Sequence, residues 1–210
     1  HNLYSLFYNR NTILCLFIKS IDMLKEVKTR PVVAPHPVLI IGTYDNDGNP
    51  DAMNVAWGGQ CWDKQIAINI SSSHKTIENI RLKKCFTVHI GDEERVALAD
   101  YVGIVSGHDE EKMRRVHASA KRGNIVDAPI IQEFVLAMEC KLVSITDNGD
   151  EGVRIVGEVV RTVADDSVID DKGRIDYSRL RPIVFDSEHN VYRGLGPEIA
   201  KAFQVGKELK

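Results

Sequence analysis

Apolar and polar residues alternate along several short stretches of this chain. That is the spacing of half-buried strands, in which successive side chains face opposite ways. "PVLIIGTYD" (37–45) is an apolar strand that runs into a turn, because "NDGNP" brings Asp47-Gly48 and then Pro50. "AMNVAW" (52–57) returns as a second strand. "KQIAINIS" (64–71) alternates through Ile66, Ile68 and Ile70, and "CFTVHIG" (85–91) through Phe86, Val88 and Ile90. Between them, Ile77 and Ile80 in "KTIENIRLKK" predict a short helix over 75–84. "VLAMECKLVSITD" (135–147) sets Leu136, Met138, Cys140 and Leu142 against outward-facing Glu139 and Lys141. The turn "DNGDEG" joins it as a hairpin to "VRIVGEVVRTVAD" (153–165). Residues 93–117 read as helix in two pieces. The first stops at Ser106-Gly107, and the second restarts behind Asp109 as N-cap. "APIIQEF" and "DDKGRID" read as turns.

At least six strands are therefore expected, mostly hairpin-linked, with one or two helical excursions. Parallel βαβ units would need regular strand–helix alternation, which this order lacks. The expected fold is mainly β with helical insertions, an antiparallel barrel in one domain over residues 23–210. Residues 1–22 carry the run "ILCLFI", too short for a bilayer span or a signal-peptide core, with no small-residue cleavage site behind it. They read as an N-terminal extension or cloning remnant.

Composition narrows the function classes. The 210 residues are 43% hydrophobic and 27% charged with net charge −3, ordinary for a soluble globular protein and without the basic excess that nucleic acid requires. Lys83-Lys84 and Arg114-Arg115 read as solvated helix faces. Cys15, Cys61, Cys85 and Cys140 form no C-x-x-C pair, which favours a reduced, cytoplasmic setting. The scattered histidines give no metal motif. "GLGPEI" (194–199) lacks the third glycine of a dinucleotide fingerprint and has Pro197 where the helix should open, so it reads as a turn.

Two strings remain. "SSSHKT" (71–76) stands at a strand end before a helix. Ser71, Ser72, Ser73 and Thr76 bring hydroxyls, Lys75 a charge, and the helix its free N–H groups, the makings of a phosphate site. A plain Ser/Thr-capped helix is the competing reading. "NPDAMNVAWGGQCW" (49–62) sets Asn54 beside Val55 and Ala56, then Trp57 in front of Gly58-Gly59. That order presents an aromatic ring and polar edge groups to a flat ligand, against the alternative that Trp57 fills the core.

With these strings in place the chain resembles the flavin reductase-like family of FMN-binding split barrels, most closely its flavoredoxin branch. The resemblance runs through "PVLIIGTYDNDGNPDAMNVAWGG", "FTVHI", "ADYVGIVSG", "DAPIIQEFVLAMECKL", "YRGLG" and "AKAFQVGKEL", and covers about residues 27–209. It implies a split barrel, non-covalent FMN and a homodimer. It implies that the flavin edge runs along Asp51 to Trp57, that Ser71–Thr76 approach the phosphate and that Lys112 reaches the flavin. Family members often have Asn where Asp51 stands, and several have His where Glu151 or Gly152 stands. The function implied is an FMN-dependent oxidoreductase fed by NAD(P)H or a redox partner protein, with no side chain nominated as catalytic. An electron carrier without free-flavin turnover is the alternative, and neither nucleic acid nor membrane is an expected partner.

Overall fold

A computed structural model of the chain describes residues 24–209. The chain divides into two units, 1–33 and 34–210. The extension expected over residues 1–22, with Cys15, lies outside the described residues. Residues 24–33 are exposed and without regular structure.

All six expected strands form, among twelve in the described residues. The twelve are β1 (His36–Pro37), β2 (Leu39–Tyr44), β3 (Pro50–Val55), β4 (Gly58–Trp62), β5 (Gln65–Ile70), β6 (Cys85–Ile90), β7 (Ala120–Arg122), β8 (Pro129–Ile131), β9 (Leu136–Asp147), β10 (Val153–Ala164), β11 (Ile183–Asp186) and β12 (Val191–Gly194). Seven of them make one sheet in the order β3-β2-β6-β9-β10-β5-β4. Every neighbouring pair in it is antiparallel.

This order forces the sheet to roll up. β3 and β4 hold opposite edges, yet only Ala56 and Trp57 separate them. Across a flat sheet the two edges would lie ~29 Å apart at ~4.8 Å per strand. Three Cα steps reach only ~11 Å. The edges must meet at this corner, and the sheet closes into a barrel. Because neighbours alternate in direction, β3 and β4 run the same way. Residues 50–62 thus act as one strand that crosses the seam, pairing first with β2 and then with β5. On one side of the crossing β3 faces the end of β5 across a gap. On the other side β4 faces the start of β2. These gaps are the splits of a split barrel.

The barrel interior is aliphatic, built on Leu39, Ile41, Val55, Ile66, Ile68, Phe86, Val88 and Ile155. Helix α1 (Lys75–Lys83) adds Ile77 and Ile80, both fully buried. Outside the wall, Ala99 and Val102 of α2 (Val96–Ile104) pack on Ile40 and Ala52, with Met113 of the one-turn α3 (Lys112–Arg115) beside them. A fourth short helix is α4 (Tyr177–Leu180). Among the described residues no helix is long and apolar enough to cross a membrane, and no cluster of three or more His, Cys, Asp or Glu could hold a metal.

Several local expectations need correction. "GGQCW" is the edge strand β4, and "APIIQEF" contains β8 paired with β7 rather than a plain turn. The first helical piece ends at Ile104, not Ser106-Gly107, and the N-cap of α3 is Glu111, not Asp109. The reason lies in the intervening loop. A Cβ on Gly107 would come within 2.8 Å of the Asp51 carboxylate, so residues 105–107 leave the helix to lie over that group. Glu139 does not face solvent. It is fully buried, accepting the N–H groups of Ile125 (2.7 Å) and Val126 (3.0 Å) and the Arg161 guanidinium (2.7 Å). A loop over the strand supplied partners that alternation cannot foresee.

His89 shows how the wall excludes charge. It is fully buried, and its Nε2 accepts the Ile131 N–H at 2.9 Å. Nδ1 must then carry the proton, which it donates to the Ile40 carbonyl at 3.1 Å. Burial pushes its pKa down to about 4, against the smaller opposing effects of Ile40 and Glu133. A depressed folded pKa means that the unfolded chain binds more protons between the two values. Stability is therefore full above about 6.5 and lost as pH falls toward 4, by up to about 3 kcal/mol from this residue. Urea unfolding of His89→Gln should show a weaker pH dependence across that window than the parent chain. An unchanged dependence would remove His89 from the account.

Candidate functional site

The gap between β3 and the end of β5 is a cavity of about 450 Å³. Its walls follow from the crossing strand. Asn54, Val55, Ala56 and Trp57 line one side, Asn69, Ile70 and Ser71 the other, and Asp100, Gly103, Phe185 and Tyr192 come from α2, β11 and β12. A narrower cavity of about 170 Å³ continues toward α1, lined by Asp51, Lys75, Thr76, Gly107 and Lys112. Met53, His74, Gly103 and Ile104 line both, which makes one groove with a broad and a narrow part.

Trp57 is not a core residue. It is 58% exposed, with its ring 5.7 Å from His36 and 6.5 Å from Phe185, which in turn lies 5.9 Å from Tyr192. The corner carbonyl of Trp57 accepts the Asn69 N–H at 2.8 Å, tying the crossing strand to β5. The next residue must be glycine. A Cβ on Gly58 would lie 2.9 Å from the Ala67 carbonyl and 3.1 Å from Leu39, where the two sheet edges meet. Val55 is buried in the barrel core, so what it offers the cavity is backbone. The Asn54 amide nitrogen donates to the Ala99 carbonyl (3.0 Å) and the Tyr192 hydroxyl (3.4 Å), so what it offers a ligand is its amide oxygen. Tyr192 donates to Asp100 at 2.9 Å, and burial, then Asp100, push its pKa to about 12. It stays a neutral hydroxyl.

The narrow part holds a buried ion pair, Lys112 Nζ to Asp51 Oδ1 at 3.3 Å, with both residues more than nine-tenths buried. Lys112 also donates to the Val102 carbonyl at 3.3 Å. Asp51 Oδ2 is buried without a hydrogen-bond partner. Asp51 lines the narrow cavity, and its unpaired carboxylate oxygen is an acceptor without a donor. Lys75 is not free either, since Asp45 pairs with it at 3.1 Å. The N-cap of α1 is His74, with no side-chain cap, so the helix opens with unclaimed N–H groups. The Ser/Thr-capped reading of "SSSHKT" fails on this point. Ser71 lines the broad cavity, whereas Ser72 and Ser73 sit exposed in the turn and line neither. Burial, then Lys112 and His108, hold the His74 pKa below the usual imidazole range. The arrangement can take a flat, edge-polar molecule in its broad part and a hydroxyl-bearing or anionic tail in its narrow part.

The family model of the flavin reductase like domain matches residues 33–186. The chain belongs to the flavin reductase-like domain family. Its structure superposes on flavoredoxin of Desulfovibrio vulgaris (Miyazaki F) with a TM-score of 0.82 and 33% identity, covering 88% of this chain and 100% of that one. Flavoredoxin from Methanosarcina acetivorans, 24% identical, gives 0.81 over 89% of this chain and 100% of that one, a likeness of fold. The uncharacterized Escherichia coli protein YddH is 28% identical over 70% of this chain and 80% of its own length. The split barrel is thus the fold of this family member.

Of the residues singled out in the sequence, Asn54, Val55, Ala56, Trp57 and Ser71 meet at the broad cavity, and Asp51, Lys75, Thr76 and Lys112 at the narrow one. Glu151, in an exposed turn, lines neither. Sequence reading missed Asn69, His74, Asp100, Phe185 and Tyr192. Asn69 carried a faint signal as the polar residue between Ile68 and Ile70. The others arrive from elements whose position only the fold decides.

The buried pair makes a stability prediction. Lys112→Met leaves the Asp51 carboxylate buried without its cation and should cost about 3–5 kcal/mol of unfolding free energy. Adding Asp51→Asn should recover part of that loss. Denaturant unfolding of the ligand-free chain measures both; a Lys112→Met cost under about 1 kcal/mol would mean the pair is solvated.

Proposed function

We propose that the protein binds FMN non-covalently in this groove and acts as an FMN-dependent oxidoreductase of the flavin reductase or flavoredoxin type. The observation that carries the reading is the joined groove of the family fold. Its broad part is walled by strand backbone and aromatic rings, and its narrow part leads to an uncapped helix N-terminus. The residues present fit FMN. Asn54–Trp57 and Phe185 would flank the ring system. The unpartnered Asp51 oxygen would accept from a donor on the ligand, and Ser71, Lys75, Thr76 and the first N–H groups of α1 would hold the phosphate end. One anion site and the lack of a dinucleotide fold favour FMN over FAD.

FMN, when bound, supplies hydride acceptance and stepwise electron release. This chain's residues fix the ring, limit water and set the local charge. Asp51 and Lys112 do the last together: the ammonium offsets the carboxylate, so the pair acts as a dipole and not as an isolated negative charge. Exposed Trp57 and Ile104 leave one side of the groove open, which is where NAD(P)H or a redox partner would approach. The resemblance adds a homodimer, in which a second copy covers exposed apolar surface.

Steady-state NAD(P)H oxidation with and without added free FMN tests the activity. Stimulation by free flavin marks a reductase; bound FMN reduced only through a partner reductase marks a carrier. Two variants test the site. Lys75→Ala removes a cation and leaves Asp45 with only its hydrogen bonds from Asp47 and Asn49. It should weaken FMN about tenfold while changing riboflavin, which lacks the phosphate, much less. Equal weakening would put the phosphate elsewhere. Trp57→Phe should raise the emission of bound FMN by removing an indole quencher. It should move the melting of the ligand-free chain little, within about 0.5 kcal/mol for so exposed a residue. Unaltered emission would take Trp57 out of the site.

A further inference from the structure

The crossing strand leaves two gaps, and the candidate site occupies only one. The other, between β4 and the start of β2, is a cavity of about 650 Å³. Leu39, Ile66, Ile90, Met138 and Val159 line it, with Lys64 at its rim. An apolar opening of this size in the wall of a barrel calls for a cover.

The same chain carries an apolar element without cover. After β12, residues 195–209 are exposed throughout. Ile199 is 97% exposed, Phe203 94% and Leu209 78%. Leu195, Ile199 and Phe203 recur every fourth residue, but residues 195–204 form no helix, so these side chains are held out singly along an irregular arm. The backbone bonds the arm makes are local, Val205 N–H to the Lys201 carbonyl and Lys207 N–H to the Gln204 carbonyl.

We infer that this arm docks on a second copy of the chain, with Phe203 seated in the gap between β4 and β2 of that copy. The inference rests on the homodimer reading and assigns its surface. A two-fold axis makes the exchange reciprocal, so both arms and both gaps are covered at once. Two arms with four or five large apolar side chains each, plus the surfaces they cover, bury roughly 1,500–2,000 Å², the size of a stable specific interface. The arm carries charges of both signs, Glu198, Lys201, Lys207 and Glu208. Lys64 and Asp63 at the gap likewise present both signs to it. A phenylalanine entering an apolar pocket at the centre of a contact is the usual form of a binding hot spot.

The test uses the full chain. A photoreactive benzoylphenylalanine replaces Phe203, and the product is mixed with isotopically heavy unsubstituted chain. Crosslinks to heavy peptides from the lining of the gap are expected, at residues 37–39, 59–66, 90, 138 or 159–162. Crosslinks within the light chain, or to heavy peptides elsewhere, would overturn the inference. In parallel, Ile199→Asp and Phe203→Asp change side chains too exposed to disturb the fold. Each should raise the dimer dissociation constant about thirtyfold or more, read by light scattering across a dilution series. A dimer indifferent to both variants overturns the arm inference and leaves the dimer reading standing. A parent chain that is monomeric throughout overturns both. Neither result touches the FMN reading, which the variants at Lys75 and Trp57 test separately.

Discussion

The structure depends on one short connection. Ala56 and Trp57 are the whole distance between the two edges of a seven-stranded sheet. That length cannot be met by a flat sheet, so the sheet rolls, and the strand from Pro50 to Trp62 passes diagonally across the seam. Gly58 is the contact point, where a side chain would collide with both β5 and β2. The two splits on either side of the crossing are consequences of this passage. A cavity between β3 and β5 is therefore built into the topology.

The chemistry of the groove comes from what the fold brings to that split. The crossing strand supplies backbone and an exposed Trp57. α1 arrives with its N-terminus uncapped, and α2 is cut short so that Gly107 can lie over Asp51. The Asp51–Lys112 pair then sits buried in the narrow part with one carboxylate oxygen unmet. Buried, partly satisfied polar groups are costly, and their position beside a cavity is best understood as provision for a ligand. Family membership and the side chains that line the groove point in the same direction.

The sequence revealed the long elements well because their signals are local. Alternation marked β5, β6, β9 and β10, and the turn "DNGDEG" marked the hairpin between the last two. It revealed less where tertiary contacts decide. "GGQCW" has a weak strand pattern and becomes β4 because it must line the seam. Glu139 looked solvent-facing and is buried because a distant loop and Arg161 satisfy it. The site was legible where its residues lie close in sequence, at 51–57 and 71–76. Phe185 and Tyr192 carried no signal, since their place beside Trp57 exists only once β11 and β12 have paired. The string "SSSHKT" was legible in kind but not in detail: its serines do not cap the helix, and its lysine is already paired with Asp45.

The central claim is that this groove is an FMN site. The most direct measurement is titration of the ligand-free chain with FMN and with FAD, followed by the change in flavin absorbance. The account predicts saturable binding of FMN at one per chain, with FAD bound much more weakly because the groove ends at a single anion site. Preferred binding of FAD, or no saturable binding of FMN to folded chain, would contradict it.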